Sequence, residues 1–139
     1  MRKRHLSGLV LLLPLAACGL TEDNEGKLAS WTQGLEKAKG CFTVHAAAIG
    51  AGIGPTSVIE VTPDTADMLQ GMRDTADTLP LDEAGQPTLR DASLRIVERL
   101  DKVKGQSPET IAAMIESEPY QRDVNVLADW YKAHCPADK

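Results

Sequence analysis

Apolar side chains recur every three or four residues along most of the chain, which is the spacing of an α-helix with one buried face. The first such stretch covers residues 28–49, and we expect its apolar face to point inward. Three glycines and a proline in residues 50–55 are helix-ending signals, so this helix is predicted to stop at Ile49. The next segment, TSVIEV at 56–61, is predicted to be an extended connection. The inward stripe consists of Leu28, Trp31, Leu35, Ala38, Phe42, His45 and Ile49.

Four more helices are predicted between recognisable start and stop residues. Thr62-Pro63 begins the second helix, which ends before Pro80, and the third covers residues 88–104. A short fourth helix follows Ser107, and the last ends before Pro136. The pattern therefore predicts an all-α fold, a small helical bundle of four long helices and one short helix. The expected core positions are Ala66, Leu69, Met72, Ala76, Leu79, Leu89, Ala92, Ile96, Leu100, Val103, Ile111, Met114, Ile115, Val124, Leu127, Ala128, Tyr131 and Cys135.

The first 17 residues follow a different pattern. Arg2, Lys3 and Arg4 form a basic front, and an apolar run from Leu6 to Leu15 comes after it. That order is typical of a secretory signal peptide, and the run is shorter than the roughly 20 residues that a membrane-spanning helix needs. We therefore expect the chain to be exported.

The end of this segment, Leu15-Ala16-Ala17-Cys18, resembles the lipobox of bacterial lipoproteins. The resemblance implies cleavage before Cys18, whose thiol then carries diacylglycerol and anchors the protein to a membrane. The expected organisation is a signal peptide at 1–17, a lipidated tether at 18–26 and a helical domain at 27–139. In Gram-negative lipoproteins, an aspartate directly after the lipidated cysteine resembles a signal for retention in the inner membrane. Gly19 stands there instead, which favours the outer membrane, facing the periplasm. The alternative is an ordinary signal peptide with an incidental cysteine.

The charge of the exported part narrows the choice of partners. Removing three of the 15 basic side chains leaves 12 against 20 acidic ones, a formal net charge of −8. Such a surface repels nucleic-acid phosphates and anionic lipids. We therefore expect no nucleic-acid partner, and membrane attachment through lipid on Cys18 alone.

Two cysteines remain besides Cys18, and an exported protein meets an oxidising environment. Cys41 and Cys135 allow one intramolecular pairing, so a disulfide between them is predicted. It would join the first helix to the end of the last one. Two free thiols, or a metal pair, are the alternatives, although the spacing typical of cysteine metal sites is missing.

Candidate chemistry is sparse. His45 and His134 lie close in sequence to the two cysteines and could together bind a metal or cofactor, which is the alternative function. No carboxylate has convincing ligand spacing to either histidine, and the sequence lacks the common hydrolase, metalloprotease and nucleotide-binding motifs. We therefore expect no catalytic residue, no bound metal and no cofactor.

Two further segments have open interpretations. Asp64-Thr65-Ala66-Asp67 recurs ten residues later as Asp74-Thr75-Ala76-Asp77, which indicates either a solvated acidic helix face or a site for calcium or a basic partner. Residues 46–54, AAAIGAGIG, lie within a stretch from 40 to 59 that has no lysine, arginine, aspartate or glutamate. They indicate either a tightly packed helix end with a flexible loop or a surface that contacts a membrane or a partner.

Size, lipobox, helices and the predicted disulfide together resemble the pilotins of type II secretion, lipoproteins that carry secretin subunits. The likeness is one of architecture, and it implies a hydrophobic groove between helices that accepts a partner helix. The function expected from the sequence is a membrane-anchored, non-enzymatic module of the cell envelope that binds another envelope protein or has a structural role.

Overall fold

A computed structural model describes the backbone of residues 22–135 and the side chains of residues 33–135. The predicted signal peptide, Cys18 and the first part of the predicted tether lie outside these residues. The chain divides into two units, residues 1–36 and 37–139, and the packing below is that of the second unit. Residues 22–135 contain five helices: α1 (Glu22–Ser57), α2 (Pro63–Asp77), α3 (Thr88–Val103), α4 (Pro108–Glu116) and α5 (Glu118–His134).

The all-α prediction is confirmed, with four long helices and one short one. The helix boundaries follow the local chemistry at most positions. Thr62 precedes Pro63 at the start of α2, and its backbone N–H donates to the Thr65 hydroxyl at 2.9 Å. Gly105 follows the end of α3 with φ of +74°, a backbone conformation that glycine adopts without strain. The Ser107 hydroxyl accepts from the Thr110 N–H at the start of α4.

The predicted bounds of the first helix are wrong at both ends. The helix α1 already begins at Glu22, within the predicted tether, and it continues through Pro55 to Ser57. Proline has no N–H, so the carbonyl of Ala51, four residues earlier, loses its helical partner. The Tyr120 hydroxyl of α5 donates to that carbonyl at 2.6 Å, in the buried interior. This tertiary hydrogen bond satisfies the carbonyl that the proline leaves unpaired, and only the residues after Ser57 form the predicted connection.

The predicted inward face of α1 is also wrong in the part that the second unit contains. Ala38, Phe42, His45 and Ile49 are exposed, and the residues that face the core are small. The side chains of Leu28 and Trp31 lie outside the described residues. The core-facing residues are Val44, Ala47, Ala51, Gly54 and Pro55, followed directly after the helix by Val58.

Glycine explains why small residues take the core face of α1. A Cβ added at Gly54 would lie 2.7 Å from Leu100 of α3, a distance that real Cβ contacts essentially never show. The two helices therefore approach more closely than larger side chains would allow. In the second unit, the large side chains of Phe42, Ile49 and Ile53 remain on the outer face of α1.

The cores of α2, α3 and α5 largely follow the prediction. Of the predicted positions on these helices and on α4, Ala66 is exposed, and all others are buried or half-buried. Tyr120 and Asp123 of α5 are buried too, although the apolar pattern does not predict them. The predicted positions that are fully buried are Leu69, Ala76, Leu79, Leu89, Ala92, Ile96, Leu100, Ile111 and Leu127.

Asp123 is a buried carboxylate between α3 and α5. Arg95 donates to it at 2.9 Å, and Arg99 forms a second charged hydrogen bond with its other oxygen. Burial opposes ionisation, but the two arginines outweigh that effect and hold the pKa of the Asp123 carboxyl below its usual range. The spacing of Asp91 and Arg95 along α3 favours an ion pair between them, yet Arg95 bonds to Asp123 instead.

The predicted disulfide is confirmed. Cys41 and Cys135 are bonded, with their Cα atoms 5.7 Å apart. The bond connects α1 to the residue that follows α5, across a sequence separation of 94. Cys41 lies about 15 Å along the axis of α1 from Ala51, so the disulfide and the Tyr120 hydrogen bond attach α1 to α5 at two separate points.

Candidate functional site

A groove lies between α1 and α2, and its lining is mainly apolar. Its volume is about 350 Å³, within the range of pockets that bind ligands or side chains from a partner. Ile49, Gly50 and Ile53 form the α1 side, and Met68 and Met72 form much of the α2 side. Methionine side chains are flexible and adapt to differently shaped apolar partners.

The glycines of α1 and α2 shape this groove in two ways. A Cβ at Gly50 would lie 3.3 Å from the Met72 side chain, so this glycine lets α2 pack close to α1. A Cβ added at Gly71, on the α2 wall, would meet no neighbouring group within 4 Å, so the groove is open at that point. Of the two interpretations of residues 46–54, close packing holds for Gly50 and Gly54, but the segment is helical and not a loop.

The outer edge of the groove continues into an exposed apolar strip on α1. Ile49 is 47% exposed, Ile53 is 58% exposed and Phe42 is 74% exposed. Together with Ala46 these residues have the spacing of a single helical face. We call Phe42, Ala46, Ile49 and Ile53 the α1 strip. Large apolar side chains that cluster on a surface are typical of interaction sites.

The opposite edge of the groove is acidic. Asp67 and Asp74 are exposed and lie one helical turn to either side of Gly71. Within residues 33–135 no basic side chain forms an ion pair with either of them, and Asp74 accepts a hydrogen bond from Gln70 at 2.9 Å. The one arginine of α2, Arg73, forms an ion pair with Asp101 of α3 at 3.3 Å, and so it does not neutralise Asp67 or Asp74. We call Asp67 and Asp74 the acidic edge.

The two histidines of the alternative function have other contacts. The ring of His134 stacks on Trp130, with its Nδ1 2.9 Å from the Trp130 carbonyl and its Nε2 3.2 Å from Glu83. His45 lies against Tyr131, with ring centroids 5.3 Å apart. Both nitrogens of His134 are thus engaged by protein groups. Among the described side chains no three histidine, cysteine or acidic groups are arranged to hold a metal ion.

His134 also borders a second cavity of about 450 Å³, between the 82–88 loop and α5. Asp82, Glu83 and Asp129 contribute acidic groups to its lining. Asp82 instead organises its own loop, because its carboxylate accepts from the Thr88 hydroxyl and from two backbone N–H groups. The bond from Thr88 contributes most to lowering the pKa of Asp82, and the backbone bonds act in the same direction.

Sequence reasoning finds part of the α1–α2 groove. One of the two interpretations of residues 46–54, a surface that contacts a membrane or a partner, includes Ile49 and Ile53, although the apolar period placed Ile49 in the inward stripe. The spacing of Asp67 and Asp74 points to a shared acidic face. It does not find the α2 wall, since the apolar period places Met72 in the core and does not single out Met68.

Comparisons with known protein families, with characterised proteins and with solved structures found no match. In the described part of the chain, none of the helices combines the length and apolar character that crossing a membrane requires.

Proposed function

We propose that this protein is an exported bacterial lipoprotein, anchored by lipid on Cys18, whose helical bundle binds another envelope protein. The binding surface is the α1–α2 groove together with the α1 strip. The protein acts without catalysis, as an adaptor or carrier in the cell envelope, at the periplasmic face of the outer membrane. The lipobox-like sequence at residues 15–18 supports the anchoring, and the exposed apolar groove is the observation that supports protein binding.

The amount of apolar surface carries this proposal. Burying an exposed isoleucine or phenylalanine stabilises a complex by up to about 1.5–3 kcal/mol. Phe42, Ile49 and Ile53 remain largely exposed although the same helix buries valine and alanine, so these three larger apolar groups stand outside the core. A partner that covered them would gain a concentrated apolar contact, which is how binding energy is distributed at protein interfaces.

A photo-reactive amino acid placed at Phe42 or at Ile53 in the full-length protein tests the binding surface in living cells. We expect a defined adduct from both positions and none from a matched exposed position on α5, Arg122. Adding Ile49→Gln should remove the adduct made at Phe42, because a polar side chain then interrupts the strip. Equal adducts at Arg122, or adducts that Ile49→Gln leaves unchanged, would contradict the proposal. An adduct of twice the protein's own mass would identify a second copy as the partner.

The anchor is tested separately. Metabolic labelling with an alkyne-bearing fatty acid should label the wild-type protein and fail to label Cys18→Ser. The wild type should also fractionate with membranes, because more than one acyl chain gives stable attachment. The outer membrane is the expected one, because Gly19 and not aspartate follows Cys18. An unlabelled wild-type protein would refute the lipid anchor without bearing on the groove.

A further inference from the structure

We propose that the groove takes an amphipathic helix whose apolar face is bordered by lysine or arginine residues. This inference rests on the proposed function and adds the chemistry of the partner. Two properties of the surface support it, namely the length of the α1 strip and the difference in charge between the two edges of the groove.

The α1 strip has the dimensions of a helical contact. Phe42 and Ile53 are eleven residues apart, which corresponds to about 16 Å along a helix axis, or three turns. A helix lying in the groove presents side chains at positions i, i+3 or i+4, and i+7 to such a strip. An extended peptide would instead need a sheet edge for its backbone hydrogen bonds, and residues 22–135 provide none.

The two edges of the groove differ in charge. The α1 side has no lysine, arginine, aspartate or glutamate between positions 40 and 59, whereas Asp67 and Asp74 stand along the α2 side. These aspartates are seven residues apart, about 10 Å along the helix axis. Basic residues two turns apart on one flank of a bound helix would lie opposite both of them. The partner's other flank, next to α1, would be apolar or neutral.

The same charges disfavour two other occupants. In a symmetric pair of copies, the same surface occurs on both sides of the contact, so the acidic edges of both copies enter one interface without a basic counterpart. An anionic lipid surface is repelled by the same aspartates. A basic helix is the occupant that gains from both the apolar strip and the acidic edge.

The test uses the full-length protein in nanodiscs of zwitterionic lipid and three fluorescent peptides of roughly 18 residues. All three carry the same leucine stripe, and the residues beside it are lysine, glutamine or glutamate. Fluorescence anisotropy, corrected for empty nanodiscs, gives each dissociation constant. We expect the lysine peptide to bind at least about tenfold more tightly than the glutamate peptide, with a smaller ratio at high salt.

Two double variants separate local from general electrostatics. Asp67→Asn with Asp74→Asn should bring the three peptides to within about threefold of one another. Glu109→Gln with Glu116→Gln removes the same charge from exposed positions of α4 and should leave the preference unchanged. Circular dichroism confirms that each variant remains folded.

Each outcome bears on a different claim. Equal affinities for the three peptides, all weakened by Ile53→Gln, would refute the basic-helix inference and leave the groove as a binding site. A preference that both double variants reduce equally would refute it too, because net charge would then suffice. No binding by any peptide would refute both the inference and the proposed groove.

Discussion

The hydrogen bond from Tyr120 to the Ala51 carbonyl gives the most discriminating prediction about this fold. We expect Tyr120→Phe to destabilise the protein although the ring, and almost all of its volume, is retained. The substitution leaves the Ala51 carbonyl buried with no donor, because Pro55 has no N–H to offer it. An unsatisfied buried acceptor costs about 1–3 kcal/mol, more than the net worth of an ordinary hydrogen bond.

The proline supplies a matched control. Pro55→Ala gives the chain a backbone N–H at position 55, four residues after Ala51, and so provides a second donor for the same carbonyl. In that background Tyr120→Phe should cost only about 0.5–1 kcal/mol, since the carbonyl keeps a partner. The mid-range values of the two costs differ by about 1 kcal/mol, so we expect a coupling of that size in the double-mutant cycle, which is within the range that such cycles resolve.

The loss of folding stability at alkaline pH provides an independent measure of the burial of the Tyr120 hydroxyl. Burial raises the pKa of Tyr120 from 10 to about 12, although the charge of Arg99 opposes the shift. Because the pKa is higher in the folded state, the neutral hydroxyl contributes stability that is complete below pH 10 and is lost as the pH rises through 12. The wild type should lose about 1 kcal/mol from this group between about pH 9 and pH 11, and Tyr120→Phe should lose none of it.

Urea unfolding of the full-length protein in mild detergent, followed by circular dichroism, measures all four members of the cycle. Equal costs of Tyr120→Phe with and without the proline would refute the assignment of the Tyr120 hydroxyl as a replacement donor. An identical alkaline loss in the wild type and in Tyr120→Phe would refute the buried state of the hydroxyl.

Three further predictions concern the core. Asp123→Asn should cost about 2–3 kcal/mol at neutral pH in urea unfolding, and should cost less below about pH 4, because the low pKa means that its contribution is present above that range and lost as the pH falls. Gly54→Ala should destabilise the protein by about 1 kcal/mol or more against Leu100, whereas Gly52→Ala, with open space around it, should stabilise it by up to about 1 kcal/mol; a shared sign would refute the close approach. Reducing the disulfide should lower the unfolding free energy by up to about 4.6 kcal/mol, and an unchanged urea midpoint would contradict this.

The parts of the fold that were predictable are those that local chemistry determines. In α2 and α3, a helix start, an apolar period and a stop residue agree with one another, and the buried positions follow. The cysteine pairing was predictable as well, because the expected lipid anchor on Cys18 leaves two cysteines, and the expected export would expose them to an oxidising compartment. Both predictions rest on residues whose local preferences all favour the same structure.

Elsewhere tertiary contacts overrode local preferences. Glycine and proline at 50–55 favour a helix end, yet Tyr120, 69 residues away from Ala51, provides the missing hydrogen bond. The ion pairs of Asp123 join residues 24 and 28 positions apart, where the sequence offered a simpler pair within α3. The α1–α2 groove also depends on tertiary contacts. Its walls pack together because glycines allow α1 to approach its neighbours closely.

The absence of charge between residues 40 and 59 has a physical reason in the two faces of α1. A helix that is apolar all round is normally covered all round. In α1 the core covers the face formed by Val44 and Ala51, and the face formed by Phe42 and Ile53 lies open. A helix needed only for the bundle could carry lysine or glutamate on that outer face at little cost, as α3 does with its exposed Glu98–Lys102 pair. The apolar outer face is therefore not required by the fold, and the partner helix that we propose would account for its composition.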